Sequence, residues 1–224
     1  MLDPEQSHHL RDVLRLEMGE QVILSDNSGY DYTARIMSLD GPVICRIEGR
    51  ARGASEMCVA VTVYQAVIKG DHFDYAVQKM VETGAAAIVP YLAQRCVRRP
   101  KNPEKFVERA QRIALEAAKQ CERSVTPPVG PICDFSEVLE QIRNGFTIFA
   151  YEREDRRTLR SLLSAGCPER AALIVGPEGG FAPEETEALL EAGAHAVSLG
   201  PRILRSETAA PYVLAQIDYA CCTE

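Results

Sequence analysis

The stretch AALIVGPEGGF, residues 171–181, runs an apolar strand directly into a loop that has three glycines in five positions. Two other stretches repeat this pattern of a strand followed by a loop, FTIFAYE at 146–152 and HAVSLGPRIL at 195–204. Helical segments at 158–165 and 183–193 separate the three strands. Near-continuous apolar strands that alternate with helices are typical of a parallel sheet buried on both faces. The sequence therefore predicts an α/β fold.

The same alternation extends upstream of these three strands. CVAVTVYQAVI at 58–68 and AAIVPYL at 86–92 are predicted strands, and Asp71 is the predicted N-cap of the helix between them. A long helix is expected over 102–123, and a last helix from about Thr208 onward. The strand and helix rhythm thus continues to the C-terminus.

The first 56 residues follow a different pattern. Pro4 is expected to open a short helix, and alternating apolar residues between 22 and 47 predict a β-meander. A joint of polar and small residues at 50–55 suits a domain boundary. We therefore expect two domains, 1–56 and 57–224.

Charge and hydropathy exclude several classes of protein. No apolar run approaches the roughly 18 residues that span a bilayer, and the polar start lacks the features of a signal peptide, so we expect a cytoplasmic protein without a membrane partner. The net charge of −7 argues against a protein that coats nucleic acid unspecifically. Within 95–123, however, nine Lys or Arg stand against four acidic residues. This segment is either a docking surface for a polyanion or a solvated helix with internal ion pairs.

The eight cysteines are scattered, with no CxxC pair, at positions 45, 58, 96, 121, 133, 167, 221 and 222. Their spacing does not predict a metal site. Several lie within apolar runs, where a reduced cysteine behaves as a small hydrophobic residue. We expect all eight to be reduced and structural, and we expect no metal.

The loops after the last three strands are the candidate ligand site, because open α/β sheets bind ligands at the carboxyl ends of their strands. In GPEGG at 176–180 the missing Cβ atoms would let backbone amides approach a ligand, although a tight structural turn explains the motif equally well. Glu184 and Glu185 at the following helix start disfavour a phosphate. With no GxGxxG motif either, a dinucleotide-dependent oxidoreductase is disfavoured.

The loop at 199–205 combines apolar and charged residues. Ile203 and Leu204 are expected to line a pocket or to enter the core, since a solvated loop would be polar. Arg205 and Glu207 bracket Ser206 at the start of the last helix, which offers two charges and a hydroxyl to a ligand. The alternative is a surface ion pair, with Ser206 or Thr208 as the N-cap.

VGPEGGF at 175–181 and SLGPRILRSETA at 198–209 together resemble the signature of the SPOUT superfamily of knotted RNA methyltransferases. More narrowly, the chain resembles the RsmE family, which methylates N3 of a uridine in 16S rRNA of the small ribosomal subunit. The stretches 8–22, 69–97 and 112–129 fit this family as well. The resemblance implies a small N-terminal PUA-like β-barrel domain that binds RNA, and a SPOUT parallel sheet with a C-terminal trefoil knot.

The resemblance also implies homodimers, S-adenosylmethionine as the methyl donor and no metal. Carried over by position, the residues that would surround the donor are Tyr151, Glu152, Val175, Gly176, Pro177, Glu178, Gly179, Gly180, Leu199, Gly200, Ile203, Leu204 and Thr208. The glycines would give backbone access to adenine and ribose. Leu199, Ile203 and Leu204 would form an apolar surface for the donor.

The N3 proton of a uracil must leave during methyl transfer, which calls for a base or for stabilisation of the anion. We expect Arg205 to stabilise the developing negative charge, and Glu207 to orient Arg205 or to accept the proton. The expected phosphate contacts are basic residues of the N-terminal helix and of the segment 95–123, namely Arg11, Arg15, Arg95, Arg98, Arg112, Lys119 and Arg123.

Two alternatives remain open at the level of sequence. One is a SPOUT methyltransferase that acts on another RNA nucleotide. The other is a non-catalytic RNA-binding factor of ribosome assembly, which would use the β-domain and the basic helix. The first would differ in its methylated product, and the second would not bind S-adenosylmethionine.

Overall fold

The computed structural model describes residues 1–154 and 157–222 of the chain. These residues form two compact units. The first unit consists of residues 1–56 together with 123–125, and the second contains the rest of the described chain.

The first unit is built on a three-stranded antiparallel sheet in the order β1-β2-β3, with strands Gln21–Ser25, Tyr30–Ser38 and Ile44–Arg52. A helix, α1 (Pro4–His8), and a π-helical turn (His9–Val13) precede the sheet. The predicted β-meander and the predicted helix at Pro4 are therefore confirmed. Asp3 supplies the cap of α1, because its Oδ1 accepts a hydrogen bond from the Gln6 amide at 2.8 Å.

Residues 123–125 are a late-sequence segment that belongs to this first unit. The Ser124 hydroxyl donates to Asp31 Oδ2 at 2.9 Å, and the Ser124 carbonyl accepts from the Ser25 hydroxyl at 2.7 Å. Arg123 has a side chain only 3% exposed, and its guanidinium pairs with Glu56. Arg123 therefore does not fit the expected role of a phosphate contact, since a buried pair with Glu56 already holds its charge.

The second unit is built on a six-stranded parallel sheet in the order β6-β5-β4-β8-β7-β9. Its strands are β4 (Ala60–Ala66), β5 (Ala87–Leu92), β6 (Cys133–Asp134), β7 (Thr147–Ala150), β8 (Arg170–Val175) and β9 (His195–Val197). The predicted parallel α/β sheet is confirmed. The strand β6 was not predicted from the sequence, because two residues are too few to show a strand pattern.

In the described part of the chain, five helices connect these strands, α2 (His72–Glu82), α3 (Pro103–Gln120), α4 (Phe135–Gln141), α5 (Leu159–Leu163) and α6 (Pro183–Glu191), and a sixth, α7 (Ser206–Cys221), follows β9. The Asn102 side chain caps α3, accepting from the Lys105 amide at 3.0 Å. Asp71 occupies the N-cap position of α2, as predicted, but its side chain makes no capping hydrogen bond. The last helix begins at Ser206, two residues earlier than expected.

Both faces of the parallel sheet are buried, as near-continuous apolar strands predict. Along β4, Val61 and Val63 pack into the cluster that includes residues of α2, α3 and α7. Tyr64 and Ala66 point into a second cluster with Tyr91. The alternation along one strand thus divides the core into two layers.

The expectation that all cysteines are reduced is wrong at four positions. Disulfides join Cys58 to Cys222 and Cys167 to Cys221, so both link the C-terminal end of α7 to earlier parts of the second unit. Sequence spacing gave no sign of these pairs, because 164 and 54 residues separate their members. Within the described residues, no helix is long and apolar enough to cross a membrane.

Candidate functional site

Strands β8, β7 and β9 are neighbours in the sheet, so the loops that follow them emerge at one edge. The Tyr151 amide, at the end of β7, donates to the Val197 carbonyl at the end of β9 at 3.1 Å. The loop after β8 meets the loop after β7 at Gly180, where an added Cβ would lie 3.0 Å from Glu152 Oε1. The parallel order therefore brings together the three loops that the sequence singled out.

Three contacts from other elements hold the glycine-rich loop after β8. The Ser206 hydroxyl donates to the Gly176 carbonyl at 2.6 Å. The Lys69 amide donates to Glu178 Oε1 at 2.9 Å, and Arg95 Nη1 donates to the Gly179 carbonyl at 3.0 Å. The Gly180 amide also closes a turn on the Pro177 carbonyl at 2.9 Å. The loop is thus a tight turn, as the alternative interpretation stated, and is also fixed from three sides.

Gln65, at the end of β4, contacts the Ser206 hydroxyl that holds this loop. Its side chain is fully buried, and Nε2 donates to the Ser206 hydroxyl at 2.9 Å. Its Oε1 has no hydrogen-bond partner among the described residues. Sequence reasoning missed Gln65, although a polar residue within the apolar run 58–68 was an available signal.

The Ser206 hydroxyl is therefore committed to the glycine-rich loop and does not cap α7. The N-cap position is Arg205, which makes no side-chain cap, and Thr208 is an exposed residue of the helix's first turn. The interpretation of Ser206 or Thr208 as an N-cap is wrong.

The carboxylate of Glu185, at the start of α6, has hydrogen-bond donors for both of its oxygens. They accept from the Gln94 amide at 2.7 Å and from the Ala182 amide at 2.9 Å.

The loop after β9 is open. Ile203 is 86% exposed, so it does not enter the core, which was one of the two expectations for this residue. Leu204 is half-buried, and Leu199 packs against the core. Gly200 has a φ of +101°, and a Cβ added there would meet no atom within 4 Å. Of the three apolar side chains of this loop, Ile203 is the one that is exposed to solvent.

A buried carboxylate lies beside the open loop. The Glu207 side chain is 8% exposed, and its Oε1 is 3.1 Å from His72 Nδ1 and 3.9 Å from Arg205 Nη1. The structure therefore pairs Glu207 more closely with His72, at the start of α2, than with the predicted partner Arg205. His72 was not predicted from the sequence, because the stretch was interpreted only through the neighbouring Asp71 as a helix cap.

The predicted phosphate contacts differ in how far neighbouring groups engage them. In the first unit, Arg11 Nη1 donates to the Gly41 carbonyl at 3.0 Å, and Arg15 is exposed. In the second unit, Arg98 and Arg112 are exposed, Arg95 is bonded to Gly179, and Lys119 pairs with Glu116 at 3.0 Å. Within the described ranges, no group of three or more His, Cys, Asp or Glu is placed to hold a metal ion.

Two family profiles match the chain. The profile described as an RNA methyltransferase domain matches residues 55–218, and the profile described as an RNA methyltransferase PUA domain matches residues 2–48. The parallel sheet and the N-terminal PUA-like domain expected from the sequence are thus both supported.

Curated relatives and solved structures agree with these profiles. Ribosomal RNA small subunit methyltransferase E of Bacillus subtilis (strain 168) is 33% identical, over 96% of this chain and 88% of the relative. The structure of the Neisseria gonorrhoeae protein of the same name, bound to S-adenosyl methionine, has a TM-score of 0.88 at 31% identity and covers 98% of this chain and 91% of that one. A putative methyltransferase from Legionella pneumophila, solved with bound SAM, has a TM-score of 0.86 at 30% identity, covering 98% and 91%.

Proposed function

Since the chain belongs to the ribosomal RNA small subunit methyltransferase E family, we propose that it transfers the methyl group of S-adenosylmethionine to N3 of a uridine in 16S rRNA. The observation that carries the proposal is the glycine-rich loop, which Ser206, Lys69 and Arg95 hold at the carboxyl edge of the sheet. The acidic residues Glu184 and Glu185 in the first turn of α6, which follows this loop, disfavour a phosphate.

The residues at this edge fit the methyl donor. Gly180 lies close against Glu152, because a Cβ added there would come within 3.0 Å of Glu152 Oε1, so the missing side chain lets the two loops approach each other. The donor supplies an electrophilic methyl group on sulfur. The residues that would hold it are Tyr151 and Glu152 after β7, the stretch 175–180 after β8, and Leu199, Gly200, Ile203 and Leu204 after β9. Thr208 completes the set at the first turn of α7.

For the uridine, Arg205 is the group that stabilises negative charge on the uracil oxygens. Its side chain is 79% exposed, which leaves the guanidinium accessible to a substrate. Glu207 is the buried carboxylate that orients Arg205. Methyl transfer depends mainly on positioning, so groups that neighbouring elements hold in place suit the reaction.

For the RNA, the proposed phosphate contacts are those predicted from the sequence without Arg123, that is Arg11, Arg15, Arg95, Arg98, Arg112 and Lys119. The domain at 1–56 contributes to RNA binding, the domain at 57–224 carries the catalytic site, and the protein works as a homodimer on the small ribosomal subunit in the cytoplasm. If about four contacts act together, log affinity falls against log salt with a slope of about −3. The trefoil knot stays a prediction.

Methyl transfer from labelled S-adenosylmethionine to small subunits that lack the modification tests the proposal. Free rRNA serves as the comparison substrate, and nucleoside mass spectrometry identifies the product. We expect 3-methyluridine, made on subunits in preference to free rRNA, because the target base must be unstacked. A different methylated nucleoside would contradict the uridine-N3 assignment. An absence of both binding and transfer would favour the non-catalytic assembly factor.

A further inference from the structure

The start of α2 and the start of α7 form a histidine and carboxylate pair at the carboxyl edge of the sheet. His72 Nδ1 lies 3.1 Å from Glu207 Oε1. The carboxylate is buried at 8% side-chain exposure, whereas the imidazole is 54% exposed. The negative charge of Glu207 beside Nδ1 favours the tautomer of the neutral imidazole that carries its proton on Nδ1, and in that tautomer the lone pair of Nε2 can accept a proton.

This pair is adjacent to the proposed methyl-donor loop. Glu207 follows Ser206, whose hydroxyl donates to the Gly176 carbonyl at 2.6 Å. His72 lies three residues after Lys69, whose amide donates to Glu178 at 2.9 Å. Both halves of the pair are therefore tethered to the glycine-rich loop by hydrogen bonds from their own segments.

We propose that His72 is the general base of the reaction, held by Glu207, and this inference rests on the proposed function. The N3–H bond of the uracil breaks, the proton goes to Nε2 of His72, and its electron pair stays on N3. That pair forms the N–CH3 bond while the electron pair of the donor's S–C bond remains on sulfur. The imidazolium then stands beside Glu207, whose negative charge stabilises it.

The other groups near this pair are less suited to the proton transfer. Arg205 is a permanent cation and cannot accept a proton. Asp71 and Asp74 both face Arg109 of α3, with Asp71 Oδ1 at 3.6 Å from its guanidinium and Asp74 in direct contact. Glu207 is buried behind the imidazole, and it acts on the proton through His72.

The test compares His72→Ala with wild type on small subunits across pH 5.5–9.5. For His72→Ala we expect a loss of about 10²- to 10³-fold in kcat/KM, a rate that depends less on pH than the rate of wild type, and partial rescue by added imidazole. The affinity for S-adenosylmethionine, measured by calorimetry, should stay within about twofold.

His195→Gln is the matched control, since His195 is the other histidine of the second unit and lies at the amino end of β9. Its activity and pH profile should equal those of wild type. If His72→Ala makes 3-methyluridine with an unchanged rate and pH profile, the general-base assignment is overturned and the proposed function stands. If wild type makes another nucleoside, both fall. A large loss without imidazole rescue or a changed pH profile would also overturn it, in favour of a positioning role.

Discussion

The two loops that flank the proposed methyl-donor site differ in how they are held. The loop at 176–180 receives hydrogen bonds from Ser206, Lys69 and Arg95, three residues far apart in sequence. The loop at 198–205 leaves Ile203 exposed. A loop held by other elements is formed before the ligand arrives, whereas an open apolar loop gains its contacts from the ligand. We therefore infer that the loop at 176–180 provides backbone contacts to the methyl donor. We infer that the loop at 198–205 closes over the donor.

The largest expected effect on stability comes from removing a disulfide at the C-terminal end of α7, the helix whose Ser206 holds the loop at 176–180. Two disulfides anchor the C-terminal end of α7, whose first residue is Ser206. We expect Cys58→Ser and Cys167→Ser each to lower the free energy of unfolding by about 2 to 4 kcal/mol, because the unfolded chain regains conformational freedom. Chemical denaturation measures the effect, with Cys45→Ser as control. Equal stability with and without a reductant would contradict the two bonds.

Ser206→Ala removes the contact that holds the first loop. It removes the hydroxyl donor of the Gly176 carbonyl and leaves the Gln65 amide with the Ala66 carbonyl, at 3.2 Å, as its acceptor, so we expect a loss of about 1 to 3 kcal/mol in unfolding free energy. Calorimetry should show at least tenfold weaker binding of S-adenosylmethionine. Ser198→Ala, in the open loop, is the control and should change stability by less than about 0.5 kcal/mol. Equal effects of the two variants would remove the distinction between the loops.

Gly180→Ala and Gly200→Ala compare the loops at the backbone. Both glycines have a positive φ, +67° and +101°, so each alanine strains the backbone by about 1 to 2 kcal/mol. Only at Gly180 does the new Cβ also fill the space beside Glu152. Calorimetry should therefore show a greater loss of donor affinity for Gly180→Ala than for Gly200→Ala. The opposite order would contradict backbone contacts to the donor at 176–180.

Ile203→Ser is expected to have the smallest effect on stability. The side chain is 86% exposed, so the free energy of unfolding should change by less than about 0.5 kcal/mol, as it should for the control Ile47→Ser in the first unit. The affinity for S-adenosylmethionine should nevertheless fall about tenfold, because a closing loop buries this side chain. An unchanged affinity would mean that the loop does not close on the donor.

Much of the fold could be predicted because apolar runs and glycine-rich loops are local features. The strands of the second unit, the β-meander of the first and the edge that carries the loops all follow from such patterns. The partners across the site could not be predicted. Gln65 and Ser206 are 141 residues apart, and they meet because β4 lies next to β8 in the sheet.

The remaining errors have the same physical origin. The segment 123–125 packs within the first unit through Ser124, which a linear division of the chain cannot reveal. Ile203 was expected to be buried because its type is apolar, yet residue type does not show whether a loop has a surface to pack on. In both cases the outcome depends on whether residues distant in sequence come into contact with the segment.

Hydrogen exchange with and without S-adenosylmethionine tests the central claim most directly, because it reports on both loops in one experiment. The account predicts slower exchange at 176–180 and at 198–205 when the donor binds, with the larger change in the open loop. Slower exchange at 176–180 alone would contradict the closure of the second loop. No change at either loop would contradict a donor site at this edge of the sheet.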